Sequence, residues 1–100
     1  MPKGYLIAQV DVTDADNYSI YANAISATLE PFGGRFLVRA GRSDQVEGEM
    51  RERLVVIEFE DYETAVEFYR SADYQEIIPL RTAGAAADIV IVEGIESDLP

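Results

Sequence analysis

Seven arginines and one lysine supply all the cations of this chain. Three of them, Arg35, Arg39 and Arg42, fall at nearly even intervals in the stretch PFGGRFLVRAGR. Guanidinium is the planar fork that grips a carboxylate at two points, so such a run in an apolar segment asks for an anion to face it. Strand alternation puts Arg35, Leu37 and Arg39 on one side. The same side of neighbouring strands would carry Tyr5, Ile7, Gln9 and Asp11, and Leu54, Val56 and Glu58. Two readings follow. In one, Asp11 and Glu58 share a proton or bind a cation in a polar cleft where arginine holds an anionic ligand. Paired carboxylates push one pKa upward, which yields an acid/base group without histidine. In the plainer and favoured reading, Arg39 and Glu58 form a structural ion pair and Asp11 is solvated at the rim.

Tyrosines form a second group. Tyr18 and Tyr21 sit one helical turn apart, and Tyr5, Tyr69 and Tyr74 could approach the same cavity, offering apolar rings with a polar tip for a planar organic ligand. Tyr18 and Tyr69 read as core; Tyr21 fits either role. Arg81 follows Pro79 at the end of a short helix, where a cation ordinarily answers the helix dipole. The neighbouring RTAGAAAD is small enough to form a mouth or lid. Gly33-Gly34 ends a helix and begins a strand, the reverse of a phosphate loop. The ligand-binding candidates are therefore Tyr5, Asp11, Tyr21, Arg35, Arg39, Glu58, Tyr74 and Arg81, with no catalytic residue assigned.

What is missing narrows the chemistry further. The chain has neither Cys nor His, so it lacks a thiol nucleophile, a thiolate metal site, the usual neutral-pH base and the commonest metal ligand. No cofactor and no metal is expected, and any bound cation should be a hard one held by Asp and Glu. Nineteen Asp and Glu set the net charge at −11, a field that repels nucleic-acid phosphates and anionic lipid surfaces. The opening MPKGYLIAQVDV is interrupted by Gln9 and Asp11 and reads as neither a signal peptide nor a membrane span. The expectation is a cytoplasmic protein.

The elements that must position these residues follow from periodicity. One hundred residues with 48% hydrophobic content suit one domain over residues 1–100. GYLIAQVDV (4–12) reads as a central strand. Residues 13–32 switch to helical spacing, with Thr13 or Asp14 as cap and Pro31 and Gly33 ending the helix. RFLVRAGR is a second strand, and RLVVIEF (53–59) a third. Asp61 caps a second helix, Ser71 or Asp73 starts a short third one, and DIVIVEG (88–94) is the last strand. A faint repeat sets VDVTD against IEFED, suggesting two matched halves. The fold class is α+β, a ferredoxin-like βαββαβ domain with an antiparallel sheet and an extra short helix. Its first and third strands lie side by side at the centre, read as parallel, with Asp11 and Glu58 at equivalent ends and Arg39 near Glu58.

Two helices can cover one sheet face. Tyr5, Ile7, Leu37, Leu54 and Val56 would leave the other face apolar and wet. The economical cover is a second copy, a homodimer; the plainer one is the extra helix and long loops folding over it.

The ordered segments GYLIAQVDVTD, FGGRFLVRAGR, VEGE, RLVVIEFEDYETAVEFYRSADYQEIIPLR and ADIVIVEG resemble the domain-of-unknown-function 1330 family over nearly the whole chain. The resemblance implies a subunit that dimerises into a two-sheet α+β barrel. Its superfamily also holds cofactor-free monooxygenases, small isomerases, haem enzymes and amino-acid-sensing domains. It carries over no catalytic residue, and the absence of His argues against a haem-ligating role. The leading expectation is a homodimeric small-molecule-binding domain. A cofactor-independent enzyme, monooxygenase-like or isomerase-like, on a small and possibly anionic substrate is the alternative, and a purely structural domain stands third.

Overall fold

Alternation decides the first strand. In a computed structural model that describes residues 2–96, β1 (Gly4–Val12) buries Leu6, Ala8 and Val10 on one face and half-buries Tyr5, Ile7 and Gln9 on the other. Gly4 is obligatory, because a Cβ there would run into the backbone carbonyl of Asp61.

Helix α1 (Ala15–Leu29) starts at Asp14, whose carboxylate accepts from the amides of Asp16 and Asn17 at 3.1 and 3.2 Å. That satisfies two of the donors a helix start leaves open. The helix buries Tyr21, Ile25, Thr28 and Leu29. A 3₁₀ turn containing Pro31 follows, and Gly33 stops it at φ 66°, in the left-handed region that glycine enters without strain.

After β2 (Arg35–Arg39) and a long polar connection, β3 (Arg53–Phe59) returns. Helices α2 (Tyr62–Arg70) and α3 (Ala72–Gly84) are capped by Asp61 and Ser71, which accept from Thr64 and Tyr74 amides at 2.8 and 3.2 Å. β4 is Ala85–Glu93.

The sheet order is β2-β3-β1-β4 and every neighbouring pair is antiparallel. The parallel reading of the first and third strands is therefore corrected. Each crossover returns a strand parallel to its starter, but β3 inserts between β1 and β2 and β1 between β3 and β4, so neighbours always oppose. Asp14 and Asp61, matched by the internal repeat, do cap equivalent helices.

Three boundaries also differ. β2 ends at Arg39, because Ala40 turns to φ 55° and gives its amide to the Leu54 carbonyl at 3.0 Å. Helix α3 runs to Gly84 through Pro79. β4 starts at Ala85, paired with Val12, so RTAGAAAD is helix and strand rather than a lid. Small residues there serve packing: a Cβ on Gly84 would strike the backbone nitrogen of Tyr18, and its carbonyl accepts the Thr13 amide at 2.8 Å.

The core lies between helices and sheet, with Tyr74, Phe59, Phe68 and Ile57 its largest fully buried side chains. Helix α3 packs along α1 and does not cross to the other face. The described residues form a slab only 16 Å thick, about one sheet and one helix layer.

Candidate functional site

Between α1 and the sheet the packing leaves a cavity of about 260 Å³. Its walls are apolar: Leu6, Ala8 and Ile57 from the sheet, Ile25 and the rings of Tyr18 and Tyr21 from α1. Among the described residues three arginines also line it, Arg39, Arg53 and Arg81, and no Asp or Glu does.

Arg81 is the unusual member. It sits in the last turn of α3 and is only 9% exposed. Its Nε and Nη1 have no hydrogen-bond partner among the described residues. Burying donors without partners is costly, more so for a cation, so this is not the solvated dipole-capping arginine that its sequence position suggests.

The hydroxyls of Tyr21 and Tyr74 lie 2.8 Å apart, a buried bridge from α1 to α3, with the rings edge to face at 6.4 Å. Burial pushes both phenols up from their ordinary pKa, and for Tyr21 the neighbouring Tyr74 adds to the effect. Both remain protonated at neutral pH.

Arg39 reaches this cavity by a change of register. The pairing runs Phe36↔Ile57 and then Val38↔Val56, so Leu37 is the extra residue of a bulge. The bulge turns Val38 away from the helices and Arg39 towards them. Its guanidinium lies 4.1 Å from the Phe36 ring centroid, and Nη2 donates to the Ala22 carbonyl at 2.8 Å. The Arg39–Glu58 pair expected from strand parity does not form.

Glu58 pairs with Arg35 instead, on the face without helices. Arg35 Nη2 and Nε lie 2.8 and 2.9 Å from Glu58 Oε1, and the Tyr5 hydroxyl donates to Oε2 at 3.2 Å. The Arg35 hydrogen bond chiefly holds the Glu58 carboxyl below its usual pKa, and burial and Glu58 raise that of Tyr5.

Asp11 lies at the far end of β1, six residues from Tyr5 and so roughly 20 Å away. The two carboxylates cannot share a proton. Asp11 accepts from the Glu52 amide at 2.9 Å and pairs with Arg51 at 3.0 Å, while Arg51 Nε holds Asp88 at 2.9 Å. The Glu52 amide is the main reason the Asp11 pKa is lowered. The loop before β3 thus clamps one end of the open face.

Of the eight candidates, Tyr21, Arg39 and Arg81 line one cavity and Tyr74 braces it. Tyr5, Arg35 and Glu58 form a second cluster and Asp11 a third. Arg42 is exposed in the loop. Sequence reasoning passed over Arg53, whose guanidinium carbon lies 5.8 Å from the Tyr18 ring centroid. The signal was present: Arg53 shares strand parity with Val55 and Ile57. Tyr18, read as core, does pack against the core and also forms a cavity wall.

A family model described as "Domain of unknown function (DUF1330)" matches residues 3–95. None of the curated proteins matches the chain. Among solved structures, RPA0582, a protein of unknown function from Rhodopseudomonas palustris, is similar with a TM-score of 0.76 at 16% identity, over 95% of this chain and 84% of that one. SnoaB, a cofactor-independent oxygenase from Streptomyces nogalater, gives 0.67 at 9% identity, over 98% of both. HapK from Hahella chejuensis gives 0.65 at 16% identity, over 97% of both. These likenesses concern the fold, which is the ferredoxin-like α+β fold expected from the element order.

Proposed function

The chain belongs to the DUF1330 family, and on that footing we propose that it is a homodimeric binding protein for a small organic molecule held between α1 and the sheet. The observation that carries this reading is the 260 Å³ apolar cavity, close in size to the smaller ligand pockets. Few convergent polar groups in an apolar chamber are what orientation of a small ligand requires. The carboxylate pair that would have favoured acid/base catalysis is split between two ends of the sheet. Among the described residues no carboxylate lines the cavity, and the Tyr21 phenol, raised by burial, stays protonated.

The dimer reading rests on the open face. Tyr5, Ile7, Val56, Val90 and Val92 lie on one side of three adjacent strands, with Val90 55% and Val92 41% exposed. A continuous apolar patch of this kind marks an interaction site, and a second copy is its most economical cover.

A second reading draws on the likeness to SnoaB, a cofactor-independent oxygenase. In such an enzyme Arg81 would stabilise an oxyanion on the substrate. Oxygen uptake above the uncatalysed rate with an oxidisable phenol, lost in Arg81→Met, would select it.

The binding reading is tested by native mass spectrometry of the freshly purified protein. A non-covalent adduct of a small organic molecule, released by mild extraction, is expected. A bare polypeptide mass that takes up no apolar compound would contradict it.

A further inference from the structure

We infer that the ligand of this cavity carries a carboxylate, seated on the Arg81 guanidinium, at one end of a planar apolar body. The inference rests on the cavity being a binding site and adds the chemical class of what it binds.

Arg81 is more than nine-tenths buried, yet Nε and Nη1 have no partner. A guanidinium presents two forks, Nε with Nη2 and Nη1 with Nη2, and each contains one of the unsatisfied nitrogens. A carboxylate satisfies either fork with two parallel hydrogen bonds. The two other arginines of the wall are exposed to water, Arg39 with one bond to the Ala22 carbonyl and its guanidinium on the Phe36 ring, Arg53 over the Tyr18 ring. Arg81 is therefore the wall's buried cation, the one that water cannot satisfy.

The surroundings favour an anion as well. The chain carries −11 overall, but among the described residues the cavity wall holds three arginines and no acid. An external carboxylate meets no like charge there, and nothing on the wall competes for the guanidinium. A phosphate fits less well, since it brings more charge and more acceptor oxygens than one buried guanidinium matches. Leu6, Ile25, Ile57 and the Tyr21 ring would take the apolar body, and a flat ring can stack on or meet edgewise the aromatic rings of the wall.

The test uses two probes of one shape, cinnamate and its neutral amide cinnamamide, titrated at neutral pH by calorimetry into the full chain. Cinnamate should bind roughly tenfold or more tightly, as expected for a charge-assisted hydrogen bond to a buried partner. In Arg81→Met the preference should vanish while cinnamamide affinity stays within about threefold of the parent. Arg81→Lys should keep a reduced preference, and it serves should the methionine variant fail to fold. Arg35→Gln, on the opposite face, should change neither affinity. Equal binding of both probes to the parent overturns the carboxylate and leaves the cavity reading standing. A preference that survives in Arg81→Met overturns the role of Arg81. Failure of both probes to bind sinks the cavity reading and the carboxylate with it.

Discussion

Arg81 costs the ligand-free protein stability, because its unsatisfied nitrogens are buried without return. Arg81→Met, which keeps length and apolar contact, should therefore stabilise the empty protein, by about 1–3 kcal/mol for the desolvation relieved. Thermal unfolding reads this directly, and a lowered Tm would mean that Arg81 is a structural brace. Glu58 behaves oppositely. Arg35 holds its pKa below the unfolded value, so its contribution is present above the ordinary carboxylate range and is lost as pH falls through the folded pKa. Stability should fall as the pH drops into and below the ordinary carboxylate range, and Glu58→Gln should flatten part of that fall. An unchanged acid limb would show the pair to be idle. The Arg35 side chain is 71% exposed, so the Arg35–Glu58 coupling in a double-mutant cycle should stay within about 0.2–1 kcal/mol. Arg39 and Glu58, on opposite faces, should add within about 0.5 kcal/mol. Coupling beyond that would contradict the bulged register of β2.

At the scale of elements, Gly84 fixes the seam on which the Tyr21–Tyr74 bridge and Arg81 depend. A side chain there meets the backbone of α1 at Tyr18. Gly84→Ala should force α3 away from α1 and cost about 1–3 kcal/mol as overpacking. It should also weaken ligand uptake, and a neutral Tm would show that the seam has room. These elements were largely legible in the sequence, and the reasons are local. Cap chemistry declares the helices, at Asp61 outright and to within a choice of Thr13 or Asp14 and of Ser71 or Asp73, which the structure resolves to Asp14 and Ser71; Gly33 declares a stop, and alternation marks Leu6, Ala8 and Val10 as core. The site was less legible because it depends on facts with no local signature. One extra residue at Leu37 reverses the side on which Arg39 emerges, and no residue type there announces it. Strand direction decided whether Asp11 and Glu58 meet, and matched positions in two halves of an antiparallel sheet lie at opposite ends. Arg81 was visible as a candidate, but its burial arises from packing α3 on α1, which no spacing in the sequence encodes.

At the scale of the whole molecule, two faces of one sheet do different work. One is covered by helices and holds the cavity; the other is apolar, bordered by the Arg35–Glu58 and Arg51–Asp11 pairs, and uncovered among the described residues. Light scattering at low micromolar concentration should report twice the 11.1 kDa chain mass. Ile7→Asp, in the middle of that face, should give a folded monomer. Since each copy carries −11, association should tighten with added salt as repulsion is screened. A monomer at every concentration would remove the dimer and leave the cavity untouched.

Residue, element and molecule all bear on whether the space between α1 and the sheet receives a ligand. Proton–nitrogen correlation spectra of labelled protein, titrated with cinnamate, test it most directly. Saturable shifts are expected at the amides of Tyr18, Tyr21, Ala22 and Ile25 and at Arg81 Nε, with Tyr5 and Val90 unmoved. Saturable shifts confined to the open sheet face, or none at Arg81 up to millimolar probe, would contradict it.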